Sequence, residues 1–134
     1  VPNKLKFITA LFYALPKFRD QQFTVNGKKV ECAAVIAANA RFFGAGMCPA
    51  AHARWDDGIL ELIYVRTLSL TDLIFNLHKI YRGSKINHPK FAYGRATQVE
   101  ISCSKRAFVE ADGETVGFTP CSMRVLPVRL KVIV

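Results

Sequence analysis

Several familiar signatures are missing from this chain of 134 residues, and each gap excludes something. No apolar run approaches the roughly 18 residues that a membrane-spanning helix needs; the longest candidate, Cys32 to Ala38, is far too short. The N-terminus shows no charged, apolar and cleavage segments in order, so no secretion signal is read there. The first residue is Val1 rather than Met, which leads us to expect an upstream segment. No internal repeat or low-complexity linker divides the chain, which reads as one domain. A chain of this length buries roughly 65–70% of the surface exposed on unfolding. The four cysteines (Cys32, Cys48, Cys103, Cys121) form no CxxC pair and have no metal-type spacing with His52, His78 or His88. They read as reduced, buried thiols.

Acidic residues are scarce and unevenly placed. None occurs from Leu73 to Gln98, a stretch holding Lys79, Arg82, Lys85, Lys90 and Arg95. From Thr115 onward the chain again lacks acids but carries Arg124, Arg129 and Lys131. The net charge of +9 therefore implies an anionic partner, either nucleic acid, a phosphorylated ligand or an anionic membrane face.

What is present reads as mainly β. Leu5, Ile8, Phe12 and Leu15 recur at helical spacing within Asn3 to Leu15, with Phe7 and Leu11 widening the stripe and Pro16 as the stop. Gln22 to Val25 and Lys28 to Ala38 flank Asn26-Gly27, a type I′ hairpin signal. Ile59 to Arg66 reads as a strand. Ser69 or Thr71 caps a helix to about Arg82, with Gly83 after its end and Leu70, Leu73, Ile74, Leu77 and Ile80 as one apolar face. Gln98 to Ser102 and Ala107 to Ala111 are expected to pair, and Met123 to Leu126 and Val128 to Val134 to close the chain as strands broken by Pro127. Many short strands with about two peripheral helices suggest an antiparallel β-sandwich or open barrel of the α+β kind.

Three stretches carry residues suited to chemistry. "NARFFGAGMCPAA", Asn39 to Ala51, places Gly44 and Gly46 where a backbone turns tightly or approaches a ligand, and lacks the Gly-Lys-Ser/Thr of a Walker A loop. "ARWDDGILEL", Ala53 to Leu62, sets Asp56 and Asp57 before a Gly and a strand; this is either a turn or oxygen ligands for a hard cation. "FVEADGETV", Phe108 to Val116, is either a hairpin tip or a pair of carboxylates, Asp112 and Glu114. A carboxylate so placed can accept a hydroxyl proton during phosphoryl transfer.

The order N-A-R-F-F-G-A-G-M-x-P-x-A-x-x-x-D-D-G-x-L, then an amphipathic helix ending "YRG", then "DGE" before a terminal β segment, resembles one family. It is similar to the C-terminal domain of the diacylglycerol kinase and sphingosine kinase-like lipid kinases, especially the soluble bacterial members, over about residues 20 to 134. The resemblance implies a β-sandwich that forms the lipid side of a cleft, opposite an N-terminal nucleotide-binding domain with a Gly-Gly-Asp-Gly-Thr motif. That motif does not occur in this chain. By the same resemblance Glu114 is the favoured proton acceptor, with Asp112 supporting a magnesium–water network; the two roles are open to exchange. A structural Mg²⁺ site maps onto the Asp57 side chain and the backbone carbonyls of Arg54 and Ile59, and Asn39, Gly44 and Gly46 map to the cleft.

The implied phosphoryl donor is ATP, bound mainly by the N-terminal domain, and the implied partners are a lipid substrate and an anionic membrane surface. The protein would then be cytoplasmic and peripheral at the inner membrane face, and this chain alone would be inactive. A different class stays open, a non-catalytic basic β domain binding anionic lipid or single-stranded nucleic acid, with Phe42, Phe43, Phe91 and Tyr93 stacking bases.

Overall fold

A computed structural model describes residues 2–42, 46–127, 129–131 and 133, without the side chains of residues 2–4 and 7. Helix α1 spans Pro2–Ala14 and gives way to a 3-10 turn, Leu15–Lys17, that contains Pro16. Proline therefore tightens the end of the helix rather than stopping the chain's turn outright. Strands β1 (Gln21–Val25) and β2 (Lys28–Cys32) form a hairpin around Asn26-Gly27, both at positive φ as the type I′ turn requires.

The run Lys28 to Ala38, expected as one strand, is two. At Ala33 the chain leaves one sheet for the other, with the Ala33 amide donating to the Val65 carbonyl at 2.8 Å, and β3 occupies Ala34–Ala38. Next come β4 (Leu60–Val65), helix α2 (Leu70–Tyr81), β5 (Phe91–Ala96), β6 (Gln98–Cys103), β7 (Phe108–Ala111), β8 (Glu114–Phe118) and β9 (Cys121–Arg124). All pairings are antiparallel: a sheet ordered β2-β1-β6-β9, a second ordered β3-β4-β5, and a separate β7-β8 hairpin.

The expected pairing of Gln98 to Ser102 with Ala107 to Ala111 is incorrect. β6 lies between β1 and β9, and β7 pairs with β8 instead. Val99 and Ile101 explain the choice: both are buried, and they complete the core only beside Phe23 and Val25. The last strand lies slightly earlier than Met123 to Leu126, and residues 129–131 and 133 of the expected final strand are not in a sheet.

Between the two sheets Phe23, Val25, Cys32, Leu60, Leu62, Val99 and Ile101 make the main core, so the fold is an antiparallel β-sandwich with α+β character. β4 is buried on both faces. Leu60 and Leu62 point into the sandwich, while Ile63 and Val65 pack with Leu68 and Leu73 beneath the helices. This explains why "LELIYV", Glu61 apart, reads as apolar sequence rather than as alternation. Phe12 and Leu15 join the same outer cluster, whereas Leu5 is exposed.

Ser69 caps α2 with a full capping box. Its hydroxyl accepts the Asp72 amide at 3.1 Å, and the Asp72 carboxylate accepts the Ser69 amide at 2.8 Å. The apolar face expected for α2 is only partly the core face. Leu73 and Ile80 are buried and Leu77 half-buried, but Leu70 and Ile74 face outward. All four cysteines are free, and burial pushes the Cys32 thiol up to about 11, which keeps it protonated and unreactive.

Candidate functional site

The β7-β8 hairpin carries the DGE motif. Ala111 pairs with Glu114, so Asp112 and Gly113 are the two central residues of the loop, with φ of 51° and 84°. Glycine meets no neighbour there that would restrict it, and aspartate is among the few other residues that tolerate the left-handed region. Asp112 and Glu114 are both exposed, and most of the hairpin is solvent-facing on both sides. Its apolar residues are also uncovered: Phe108 is 74% exposed and Val116 62%. The hairpin is braced at its base, where the Phe108 and Phe118 rings lie 4.9 Å apart and the Arg106 guanidinium sits 3.5 Å over Phe118. Thr119 closes the base twice, its amide donating to the Ala107 carbonyl and its hydroxyl accepting the Ala107 amide.

The DDG loop is built differently. Asp56 faces outward and pairs with Arg54 at 3.1 Å, a hydrogen bond that holds its carboxyl below the usual range. Asp57 turns inward. Its Oδ1 accepts the Ile59 amide at 3.0 Å, and Arg95 Nη2 lies 3.5 Å from Oδ2. Arg95 also donates to the buried Glu61 at 2.8 Å, tying β5 to β4 beneath the loop. Among the described residues no cluster of three or more His, Cys, Asp and Glu is arranged to hold a metal. Asp57 brings one carboxylate, an oxygen donor of the kind Mg²⁺ accepts, and the Ile59 amide and Arg95 engage its two oxygens.

Asn39 and Gly46 are exposed, and Gly46 has φ of 85°. Gly44 and Phe43 lie outside the described residues. A depression of about 450 Å³ brings the first and second motifs together, lined by Arg41, Phe42, Arg54, Trp55 and Asp56 among others. No described hydrogen bond or ion pair links Asp112 or Glu114 to this loop pair. The contribution of Phe42 and Trp55 to that depression went unread in the sequence, as did the Glu61–Arg95 pair; a lone Glu inside an apolar strand was the available signal for the latter.

The whole of residues 1–134 matches the sequence profile of the YegS C-terminal NAD kinase beta sandwich-like domain. The chain belongs to that family.

A diacylglycerol kinase from Staphylococcus carnosus (strain TM300) is 35% identical over 80 residues, 60% of this chain and 26% of that protein. Human sphingosine kinase 2 is 29% identical over 97 residues, 69% of this chain and 15% of that protein. The crystal structure of a diacylglycerol kinase from Bacillus anthracis str. Sterne superposes with a TM-score of 0.62 at 20% identity, covering 88% of this chain and 44% of that one. This YegS C-terminal-type chain thus spans about a quarter or less of the curated relatives it matches, and under half of the solved structure. The resemblance to the C-terminal domain of diacylglycerol kinase-like lipid kinases holds.

The basic stretch is only partly free in this domain. Lys90 pairs with Asp72, and Arg95 with Glu61 and Asp57. Lys79 donates to Asn76, and Lys85 lies 4.9 Å over the Tyr93 ring. Among the described residues Arg82, Lys85, Arg124, Arg129 and Lys131 make no ion pair with an acid. No described helix is long and apolar enough to cross a membrane.

Proposed function

We propose that this chain is the substrate-side domain of an ATP-dependent lipid kinase that phosphorylates a lipid hydroxyl, a diacylglycerol kinase-like activity. The supporting observation is the position of the DGE motif. Asp112 and Glu114 stand at the exposed tip of a two-residue hairpin turn outside both sheets, as a carboxylate serving a cleft between two domains would. Glu114 accepts the proton of the lipid hydroxyl as its oxygen attacks the terminal phosphorus of ATP; the new oxygen–phosphorus bond forms as the bond to the departing ADP breaks. Asp112 would support the magnesium–water network beside it, and the two carboxylates could exchange roles.

Asp57, with the carbonyls of Arg54 and Ile59, would hold the magnesium, which supplies fixed positive charge and ordered waters on that side of the cleft. ATP itself would be held by an N-terminal kinase domain of the same parent, and Asn39, Gly44 and Gly46 would border the cleft. The protein would work in the cytoplasm at the inner membrane face.

Assay of the full-length parent against this chain alone tests the reading. The parent phosphorylates diacylglycerol with ATP and Mg²⁺, and the isolated chain does not, because phosphoryl transfer needs both reactants positioned together. Phosphorylation by the isolated chain, or none by the parent on any lipid alcohol, contradicts it. The alternative, a base-stacking β domain, finds less support: Phe91 and Tyr93 are partly buried against the apolar clusters beneath the helices, and the Tyr93 hydroxyl accepts the Ile86 amide at 2.9 Å.

A further inference from the structure

Helix α2 has two apolar faces, and only one is used by the fold. Leu73 and Ile80 are buried, but Leu70, Ile74 and Phe75 are 53%, 61% and 71% exposed. At 100° per residue Leu70, Thr71, Ile74, Phe75, His78 and Arg82 share one outward arc of about 140°. No acid lies on that arc. The single acid of the helix, Asp72, is engaged by Ser69 and Lys90 and has His88 3.7 Å away. Beyond the helix, Arg82 and Lys85 are exposed, and no acid follows until Glu100.

We propose that α2 is an interfacial helix that lies flat on an anionic phospholipid bilayer. Leu70, Ile74 and Phe75 enter the boundary between headgroups and acyl chains, and Arg82 and Lys85 meet lipid phosphates at the C-terminal end. The charge pattern selects this occupant. A second copy docked on the same face would bring the cations of both helices together without an acid to offset them. A bilayer surface offers an apolar layer beside a sheet of negative charge, which matches the arc and its flank. Twelve residues span about 18 Å, too short to cross a bilayer but suited to lying along it.

The assignment rests on the lipid-kinase reading only for placing the protein near lipid, and its readout is binding rather than turnover. Full-length protein is sedimented with vesicles of phosphatidylcholine, with or without phosphatidylglycerol. Ile74→Gln with Phe75→Gln weakens vesicle binding by about tenfold or more without shifting the thermal midpoint, since both side chains already face solvent. Arg82→Glu with Lys85→Glu removes the preference for phosphatidylglycerol and the salt dependence of binding. Both pairs leave turnover on a monomeric short-chain diacylglycerol unchanged.

Wild-type vesicle binding by the Ile74→Gln/Phe75→Gln protein overturns the proposal. So does a Phe75→Cys thiol that resists maleimide in vesicle-free full-length protein, which would mean another domain covers the face. A concentration-dependent dimer abolished by the glutamine pair would also overturn it, in favour of a second copy. A protein that binds vesicles through these residues yet phosphorylates no lipid supports the helix assignment and removes the kinase one.

Discussion

The rings of Phe108 and Phe118 lie 4.9 Å apart across the open end of the β7-β8 hairpin, and they hold it from the base while its tip stays free. Phe108→Ala should therefore loosen the hairpin locally, by about 0.5–1 kcal/mol for an aromatic pair this exposed. Amide exchange at Glu110 and Thr115 is expected to speed up severalfold, with the global thermal midpoint nearly unchanged. An equal loss across the sandwich would show that the hairpin is part of the main core instead.

Glu61 and Arg95 form a pair of a different kind, because Glu61 is buried and Arg95 is its described partner at 2.8 Å. Arg95→Met strands that carboxylate and should cost about 1–3 kcal/mol. The urea midpoint is expected to fall with an unchanged slope. Glu61→Gln in the Arg95→Met background should recover part of the loss, since the stranded charge is gone.

Asp72 contributes to the acid limb of stability. The Lys90 ammonium hydrogen-bonded to it, followed by the Ser69 amide and hydroxyl, holds its carboxyl well below the usual 3.8. A depressed folded-state value means that the contribution is complete above about pH 4 and is lost as pH falls below it. Wild type should exceed Asp72→Asn in stability at neutral pH, with the gap closing in acid. A gap that stays constant from neutral pH to strong acid would contradict the assignment.

The local signals were legible where one residue type dictates the backbone. Asn26-Gly27, Asp112-Gly113 and the Ser69 cap each fall where the sequence placed a turn or helix start, because positive φ and an unsatisfied amide admit few residues. What failed was partner choice. β6 and β7 are neighbours in sequence, yet Val99 and Ile101 are buried beside β1 and β9, while "ETVGF", broken by Gly117, did not read as the strand that β7 needs. β5 was missed for a similar reason, since "FAYGRA" carries a glycine opposite Leu62 and an arginine that pairs with Glu61. Of the site, the DGE turn was visible, but neither the depression shared by Phe42 and Trp55 nor the outward turn of Leu70 and Ile74 was. The depression depends on how two separate loops meet, and the turn of α2 on which helix face the sheet occupies, a choice that a continuous apolar surface does not encode.

The central claim is that Glu114 accepts the substrate proton, and its most direct test is single-turnover kinetics of the full-length parent carrying Glu114→Gln. Asp112→Asn serves beside it, because asparagine also tolerates the φ of 51° and keeps the turn intact. The account predicts that Glu114→Gln lowers phosphoryl transfer to diacylglycerol by about a hundredfold or more while ATP affinity and the thermal midpoint hold. Near-wild-type transfer in the Glu114→Gln enzyme would contradict it.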